Sequence, residues 1–388
     1  MQNRWFILFV LFFARTTMAF QFQSVAALSP LIIENLAATL VDIGLLIGLY
    51  LGPGVIVATL GGTVAGWFGD KRTVFASLVL MVAGSVLVAY GHTLSWVMTG
   101  RVVSGVGGVV VNVVMTKMVI DWFAGRNVAT ALSIFISSYP LGIALALLVL
   151  PRLAEVGGLD LAWGAVSVAT ALAMILFGMV YRTPPGAVAG SVKLSASALP
   201  WLPLTSVAVL WGLYNAAFAM IFGFGTLILV GRGLSVTDAS SATSIHMLTG
   251  TVAIPLGGWI ADRTGRRYTV ILVSLISGVV LFPALLYLPV SYAGVLLGLG
   301  GLFVGLSPGP IVSLPSYILP PQARAFGTGV FYSMYYALMM IAPPMAGAIA
   351  DRVNDVSVAF LLGSGMMVAA ILALVAFHRT ATAPPTGS

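Results

Sequence analysis

The sequence predicts an all-α membrane protein with twelve transmembrane helices in two six-helix halves. Three observations predict this class. The chain of 388 residues is 60% hydrophobic with a mean hydropathy of +1.09, which is more apolar surface than an ordinary water-soluble core can bury. Apolar stretches of about 20 residues recur along the whole chain. A short charged loop motif also occurs twice, separated by about half the chain.

Each apolar stretch is long enough to be one membrane-spanning helix. An α-helix rises about 1.5 Å per residue, so about 20 residues cross a hydrocarbon core of about 30 Å. We number the predicted spans 1 to 12; they begin near Trp5, Ile43, Thr73, Trp96, Val128, Leu161, Pro203, Thr237, Tyr268, Ser291, Phe326 and Val356. Span 1 is expected to be a retained helix rather than a secretion signal, because it contains Arg15 and lacks a small-residue cleavage site.

Short connections between the spans predict the domain organisation. Residues 1–181 form the N-terminal six-helix half, and residues 203–379 form the C-terminal six-helix half. Between them, residues 182–202 form a cytoplasmic linker rich in proline, glycine and serine, and residues 380–388 are a tail without a motif. Prolines and glycines predict breaks in spans 5, 10 and 11 at SSYPLG, SPGP and APP.

The distribution of charge predicts the orientation in the membrane. If the amino terminus is cytoplasmic, most lysines and arginines fall in cytoplasmic segments, whereas the outer loops contain only Arg152, Arg232 and Arg352. Most acidic residues then fall outside. This is the positive-inside pattern, and it places both termini in the cytoplasm. The net charge of +7 is therefore explained by topology, and no nucleic-acid partner is expected.

The repeated loop motif indicates a duplicated six-helix unit. The sequence GWIADRTGRR follows span 8, and GWFGDK follows span 2 at the equivalent place in the first half. A weaker repeat pairs RNVATALSIF after span 4 with RAFGTGVFYS after span 10. Two copies in the same orientation are the arrangement of parallel repeats in transporters.

With this motif in the loop after the second helix of each half, the chain resembles the major facilitator superfamily. The second copy has the complete motif, and the first lacks its later Gly-Arg; the matching residues are Gly66, Asp70, Lys71 and Arg72, and Gly258, Asp262, Arg263, Gly265, Arg266 and Arg267. The sequences LLIGLYLGPGVIVATLGG, GRVVSGVGG, DWFAGR, SYPLGIAL and YSMYYALMMIAPPMAG resemble the cyanate-permease-like branch of these bacterial carriers.

The motif residues are candidates for a cytoplasmic gate. Gly66 and Gly258 would let neighbouring helices approach closely, and each aspartate could satisfy helix amides or pair with a basic residue. The resemblance implies a latch between the halves, with Asp121 at the end of span 4 as the acidic partner in the first half. Alternatively, these charges only fix the topology. Lys117 and Asp121, four residues apart, are expected to form a local ion pair.

Two arginines are candidates for substrate binding. The resemblance implies that spans 1, 4, 7 and 10 line a central cavity, and Arg15 and Arg101 are the charged residues predicted well inside spans. A buried guanidinium needs a partner, and an anionic substrate is the simplest one, since the planar fork of arginine suits carboxylates and other oxyanions. Backbone carbonyls or hydroxyls could satisfy Arg15 instead. Arg101 lies on one helix face with Gly105, Gly108 and Asn112, and Asn112 is a further candidate for substrate binding. Arg101 could equally serve coupling or helix packing.

The second half supplies further polar and aromatic candidates. Tyr214 and Asn215 lie in span 7, and Tyr332 and Tyr336 lie in span 11; they could contact a small organic anion or serve helix packing. His246, predicted inside span 8, could carry a coupled proton or be a structural histidine.

These features predict a secondary transporter of a small anion (an inorganic oxyanion, a cyanate-like ion or a small carboxylate) that works by alternating access in the bacterial cytoplasmic membrane. The sequence has no cysteine, no Gly-rich phosphate loop and no catalytic constellation, so we expect no enzyme activity, cofactor or metal. Alternatives are an exporter of drug-like or neutral amphipathic compounds, and a channel or receptor. The expected partners are the substrate, membrane lipid and possibly a co-transported proton, and the protein is expected to act as a monomer.

Overall fold

The computed structural model describes residues 3–58, 68–91, 93–123, 128–183, 199–319 and 324–382. Gly66, most of the predicted linker and most of the predicted tail lie outside these ranges. Within them, all regular secondary structure is helical.

The described helices follow one another with short connections. In chain order they are α1 (Arg4–Ala27), α2 (Ser29–Leu36), α3 (Leu40–Leu51), α4 (Asp70–Tyr90), α5 (Leu94–Phe123), α6 (Val128–Val180), α7 (Trp201–Gly231), α8 (Val236–Thr264), α9 (Arg267–Tyr287), α10 (Ala293–Val304), α11 (Pro308–Ser313), α12 (Pro315–Ile318), α13 (Arg324–Val353) and α14 (Val358–Thr382). A 3₁₀ turn, Val290–Tyr292, precedes α10.

Eleven helical segments among the described residues are long and apolar enough to cross a membrane. The sequence predicts twelve spans, and the difference arises in α6, which contains both span 5 and span 6. This helix is interrupted only at Gly157 (φ −141°) and Gly158 (φ +67°). The positive φ of Gly158 is a conformation that residues with a side chain rarely adopt. Before this interruption α6 packs on α1, and after it Thr170 contacts Ser85 of α4.

The three predicted helix breaks have different outcomes. Span 10 is broken around SPGP into α10, α11 and α12, as predicted. The other two predictions are wrong, because α6 continues through Pro140 and α13 continues through Pro343 and Pro344. A proline leaves one backbone carbonyl of its helix without the usual N–H donor, and a side chain from a neighbouring helix can supply a donor instead. Arg15 does this for the carbonyl that Pro140 leaves free, as described below.

Glycines set the closest helix packing. A methyl group at Gly84 or Gly107 would collide with atoms of the α4–α5 contact, and one at Gly44 or Gly347 would collide with main-chain atoms across the α3–α13 contact. Large apolar side chains also lie on the outside, and some of them, such as Phe9 and Val280, are more than half exposed. Apolar side chains on the outer surface of lipid-length helices are suited to contact hydrocarbon. The interior is also mainly apolar and contains a smaller set of buried polar side chains, among them Arg15 and Arg101.

Candidate functional site

Arg15 lies in the middle of α1 and is 9% exposed. Its Nη1 donates to the carbonyl oxygens of Phe135 (2.9 Å) and Ile136 (3.0 Å) on α6 and contacts Ser138 Oγ at 3.3 Å. The Ile136 carbonyl is available because residue 140, which would supply its helical N–H donor, is a proline. The sequence SSYPLG thus provides a main-chain acceptor for a buried cation.

The two other nitrogens of the Arg15 guanidinium, Nε and Nη2, differ in their hydrogen bonding. Nε donates to Asn112 Oδ1 of α5 at 3.0 Å, whereas Nη2 donates no hydrogen bond to any described residue. The ion pairs found among the described residues all involve Lys117, so the charge of Arg15 has no acidic partner there. Arg15 is therefore a positioned cation with an unused amino group.

Aromatic rings surround the guanidinium. Its Cζ atom lies 4.8 Å from the ring centroid of Phe135 and 5.5 Å from that of Tyr139. Tyr332, Tyr335 and Tyr336 of α13 are also close enough to interact with it electrostatically. Aromatic faces stabilise a cation without neutralising it, so the site keeps its positive charge.

Asn112 connects α1 and α5 to α13. Its Oδ1 accepts from Arg15, and its Nδ2 donates to the hydroxyl of Tyr336 at 3.1 Å. The arginine can only donate, which fixes the orientation of the amide. Sequence reasoning selected all three residues as candidates, and the structure brings them into one hydrogen-bonded chain.

Further aromatic side chains extend this group toward α7. The ring of Trp211 lies 5.9 Å from Tyr335 and 5.7 Å from Tyr214, and Tyr335 lies 6.3 Å from Tyr332. Tyr214 itself is 2% exposed and donates to the carbonyl of Val304, so its hydroxyl is directed to α10. The neighbouring Asn215 donates within its own helix, to Trp211 O. The indole N–H of Trp211 is buried and has no hydrogen-bond partner among the described residues.

Arg101 has a different environment from Arg15. Its Nε, Nη1 and Nη2 donate to the carbonyls of Leu46 (2.8 Å), Gln21 (2.9 Å) and Phe22 (2.8 Å), and its Cζ lies 4.5 Å from the centroid of Tyr50. Each nitrogen is thus bonded to main chain of α1 or α3, and the residue is 1% exposed. These bonds use three of its five N–H groups and fix the guanidinium to the main chain of two helices.

His246 lies between α8 and α10 with 0% of its surface exposed. Nδ1 is 3.0 Å from the carbonyl of Leu297, and a carbonyl only accepts, so Nδ1 carries the proton. Nε2 is then a buried acceptor, and it has no partner among the described residues. The ring packs 5.2 Å from Phe218 of α7.

The first copy of the charged motif forms a cluster within two helices. Asp70 is the first residue of α4, and its Oδ2 lies 2.6 Å from Nζ of Lys117 on α5. The same ammonium lies 3.3 Å from Asp121, which is the predicted i, i+4 ion pair. The partner of Asp70 is thus Lys117, which sequence reasoning paired only with Asp121. Lys71 and Arg72 form no ion pair within the described part of the chain.

The second copy has no comparable cluster. Asp262 is exposed and makes no ion pair with a described residue. Arg263 stacks on Trp259 of its own helix, and Arg267 lies 3.9 Å from the ring centroid of Tyr317. Arg266 is exposed. These charges contact aromatic faces rather than acids.

The closest helix contact at the second motif is at Gly257, one residue before the motif glycine Gly258. A methyl group there would meet nothing within 4 Å, whereas one at Gly257 would collide with the carbonyl of Leu306. Successive residues of a helix point about 100° apart, so the close contact occurs one position earlier. The matching prediction at Gly66 lies outside the described residues.

An all-helical bundle of lipid-length helices, with a cation and aromatic side chains at its centre, defines a multi-pass membrane transport protein. Residues 5–232 and 227–388 match the family model described as Major Facilitator Superfamily, and the chain belongs to this family. The family is one of transporters rather than enzymes.

Curated relatives and solved structures agree with this membership. The hexuronate transporter of Bacillus subtilis (strain 168) is 25% identical over 391 aligned residues, which cover 94% of this chain and 92% of that protein. The quinolone resistance protein NorA of Staphylococcus aureus is 28% identical over 114 residues, 29% of each chain.

Two solved structures share the fold. A mutant of the nucleoside transporter NupG superposes with a TM-score of 0.77 at 16% identity, covering 97% of this chain and 100% of that one. A bacterial homolog of the human lysosomal transporter Spinster, inward-facing and unoccupied, gives 0.72 at 15% identity and covers 97% of this chain and 96% of its own. At this identity the likeness shows the fold alone.

Proposed function

We propose that the protein is a secondary transporter that moves a small organic anion across the cytoplasmic membrane by alternating access, with Arg15 as the residue that binds the anionic group. The observation that carries this proposal is the environment of Arg15: a buried, oriented guanidinium whose Nη2 has no described partner and whose charge has no described acid.

The cost of burying a charge supports an anionic ligand. An arginine inside a membrane bundle costs several kcal/mol, by an order-of-magnitude estimate, unless carbonyls, water or a counter-charge compensate it. Carbonyls already satisfy part of Arg15, which holds the group in place when the site is empty. A carboxylate at Nη2 would add a charge-assisted hydrogen bond and supply the missing negative charge.

The aromatic and hydroxyl groups nearby favour an anion with a polar body over a bare inorganic ion. The rings of Tyr335 and Trp211 can stack on a sugar or other flat ring, and the hydroxyls of Tyr332 and Tyr336 can bond its polar groups. The name of the hexuronate transporter, a relative over nearly the whole chain, fits a carboxylate attached to a sugar. Cyanate-like and nitrate-like ions, which the cyanate-permease-like motifs suggest, are the alternative small-anion substrates.

Alternating access requires two halves, and we assign them to residues 1–181 and 203–379, joined by the linker 182–202. The candidate span Ile134–Val180 has 47 residues, about 70 Å of helix, which is more than twice a hydrocarbon core of about 30 Å. Crossing twice, with the reversal at Gly157 and Gly158, would give twelve spans. The positive-inside pattern then places both termini and the Asp70–Lys117–Asp121 cluster in the cytoplasm.

The other candidate residues receive distinct roles in this proposal. Arg101 fixes α5 to α1 and α3 through three carbonyls, and so shapes the site without touching the substrate. The cluster of Asp70, Lys117 and Asp121 organises the cytoplasmic ends of α4 and α5 for gating. His246, with its unpartnered Nε2, is the candidate carrier of a coupled proton.

A second candidate function is export of neutral amphipathic compounds. The row of aromatic rings from Trp211 to Phe222 and the partial similarity to the quinolone resistance protein favour it. The unpaired charge of Arg15 argues against a cationic compound.

A thermal-shift screen of the purified protein tests the proposal. Hexuronates such as glucuronate, short carboxylates, nitrate, cyanate, neutral sugars and cationic amphipaths are compared on the unmodified protein, Arg15→Gln and the exposed control Arg182→Gln. We expect one anion family to raise the melting temperature of the protein and of the control, but not of Arg15→Gln. Stabilisation by neutral or cationic compounds alone would contradict the anion proposal.

A further inference from the structure

The amino-terminal cap of α3 is completed by a side chain from another part of the chain. Leu40 N and Val41 N, at the start of α3, donate to Oδ1 (3.2 Å) and Oδ2 (3.0 Å) of Asp351, near the end of α13. The first amides of a helix have no partner within the helix. Thr39 Oγ1 accepts from the next amide, that of Asp42, at 3.1 Å. The amides of Leu40 and Val41 therefore have a protein acceptor only while α13 is in place.

Close packing holds the two helices together along the same contact. A methyl group at Gly44 or Gly48 of α3 would collide with the carbonyl of Pro343 or Met340, and one at Gly347 would collide with the carbonyl of Leu40. Such contacts exist only when the helices touch. A separation of a few ångströms would break both hydrogen bonds to Asp351, since these are already 3.0 and 3.2 Å long.

The same end of the bundle has two more contacts between early and late helices. Arg152 Nη2 of α6 lies 3.2 Å from Ser241 Oγ of α8, and the hydroxyl of Thr237 bonds to the carboxylate of Glu155. At the opposite end, the described ion pairs of Asp70, Lys117 and Asp121 remain within α4 and α5. Among the described residues, the polar contacts across the two proposed halves are thus this set at the Asp351 end, together with the buried bonds from Gln23 to the Phe222 carbonyl and from Asn112 to Tyr336.

We propose that Asp351 is a gating residue: its carboxylate caps α3 to hold this end of the transporter closed, and its release accompanies opening of this end. This inference rests on the proposed alternating access, and it concerns the outer gate if the proposed topology holds. A carboxylate at a helix amino terminus gains from both the amides and the helix dipole. When the helices part, water can replace these partners, because Asp351 is only partly buried and Thr39 is exposed. The bonds between Asp351 and the first amides of α3 therefore favour the closed state of this end and can break when it opens.

The sequence contains no cysteine, so spin labels attach only to cysteines that are introduced by substitution. Glu34→Cys on α2 and Tyr292→Cys before α10 place spin labels on two exposed residues, one in each proposed half. Electron paramagnetic resonance then measures the distance between them in lipid without substrate. We expect a dominant short distance in this labelled background, and a long-distance population at least threefold larger after Asp351→Ala.

The matched control is Asp355→Ala, which removes a carboxylate four residues after Asp351. Among the described residues, the carboxylate of Asp355 bonds to Ser357 alone. We expect it to leave the distances unchanged. Asp351→Asn keeps one acceptor oxygen and should give an intermediate shift, which preserves the test if Asp351→Ala folds poorly. Identical distances in the labelled background and both Asp351 variants, or an equal shift in Asp355→Ala, would overturn the gating role.

Because this measurement needs no substrate, it separates the two proposals. A distance shift in a protein that binds no anion would retain the gate and reject the proposed substrate class. Anion binding without a distance shift would retain the proposed substrate class and reject the gating role of Asp351.

Discussion

Replacing Arg101 with methionine should destabilise the protein while leaving substrate affinity unchanged. The substitution removes three hydrogen bonds from a charged donor to the carbonyls of Leu46, Gln21 and Phe22. Bonds to charged groups contribute about 1.5–3 kcal/mol each, but removing the arginine also removes the cost of burying its charge, several kcal/mol by an order-of-magnitude estimate. Three such bonds total about 5–9 kcal/mol, and a burial cost of about 3–5 kcal/mol leaves a net loss of about 2–4 kcal/mol.

A loss of this size should lower the melting temperature by roughly 2–5 °C, since an unfolding entropy of about 2.1 cal/mol/K per residue gives about 1.2 °C per kcal/mol for 388 residues. The assay is thermal unfolding in detergent, together with the Michaelis constant for uptake in proteoliposomes. Arg182→Met, at an exposed arginine, is the matched control and should change neither quantity. An unchanged melting temperature with a Michaelis constant raised more than tenfold would show that Arg101 binds substrate, and would refute the reasoning from its three carbonyl contacts.

Two further predictions concern packing and coupling. Gly257→Ala should destabilise the protein, because the added methyl group meets the Leu306 carbonyl, whereas Gly258→Ala should be tolerated; thermal unfolding of the pair checks this, and equal effects would contradict the assigned packing. His246→Asn keeps a donor for the Leu297 carbonyl but removes the second ring nitrogen. We expect it to abolish accumulation driven by a pH gradient while substrate exchange continues in proteoliposomes, and unchanged accumulation would exclude His246 as the proton carrier.

The sequence predicts the membrane class well because lipid imposes a length and a composition on each helix. The number of spans is harder to predict from a helical pattern alone. Spans 5 and 6 follow each other without a loop, because only Gly157 and Gly158 leave the helical conformation between them. Prolines are likewise ambiguous: the break predicted near Pro140 is absent, and the carbonyl that the proline frees is used by Arg15.

Part of the candidate site also follows from the sequence. Arg15, Asn112 and Tyr336 are recognisable as polar residues inside apolar spans, but their mutual contacts join positions up to 224 residues apart and depend on helix packing. For the same reason, sequence spacing reveals the Lys117–Asp121 pair but not the bond from Lys117 to Asp70 on another helix. Local spacing specifies neighbours on one helix, whereas tertiary packing decides the partners between helices.

The most direct test of anion binding at Arg15 is a calorimetric titration of the purified protein with the anion that stabilises it most in the thermal-shift screen. The unmodified protein should bind this anion, and Arg15→Gln should bind it roughly 10- to 150-fold more weakly, the equivalent of losing about 1.5–3 kcal/mol from a charged hydrogen bond. Arg15→Lys should bind with intermediate affinity, since lysine keeps the charge but not the planar fork. An Arg15→Gln protein that is folded and binds the anion as tightly as the unmodified protein would contradict the account.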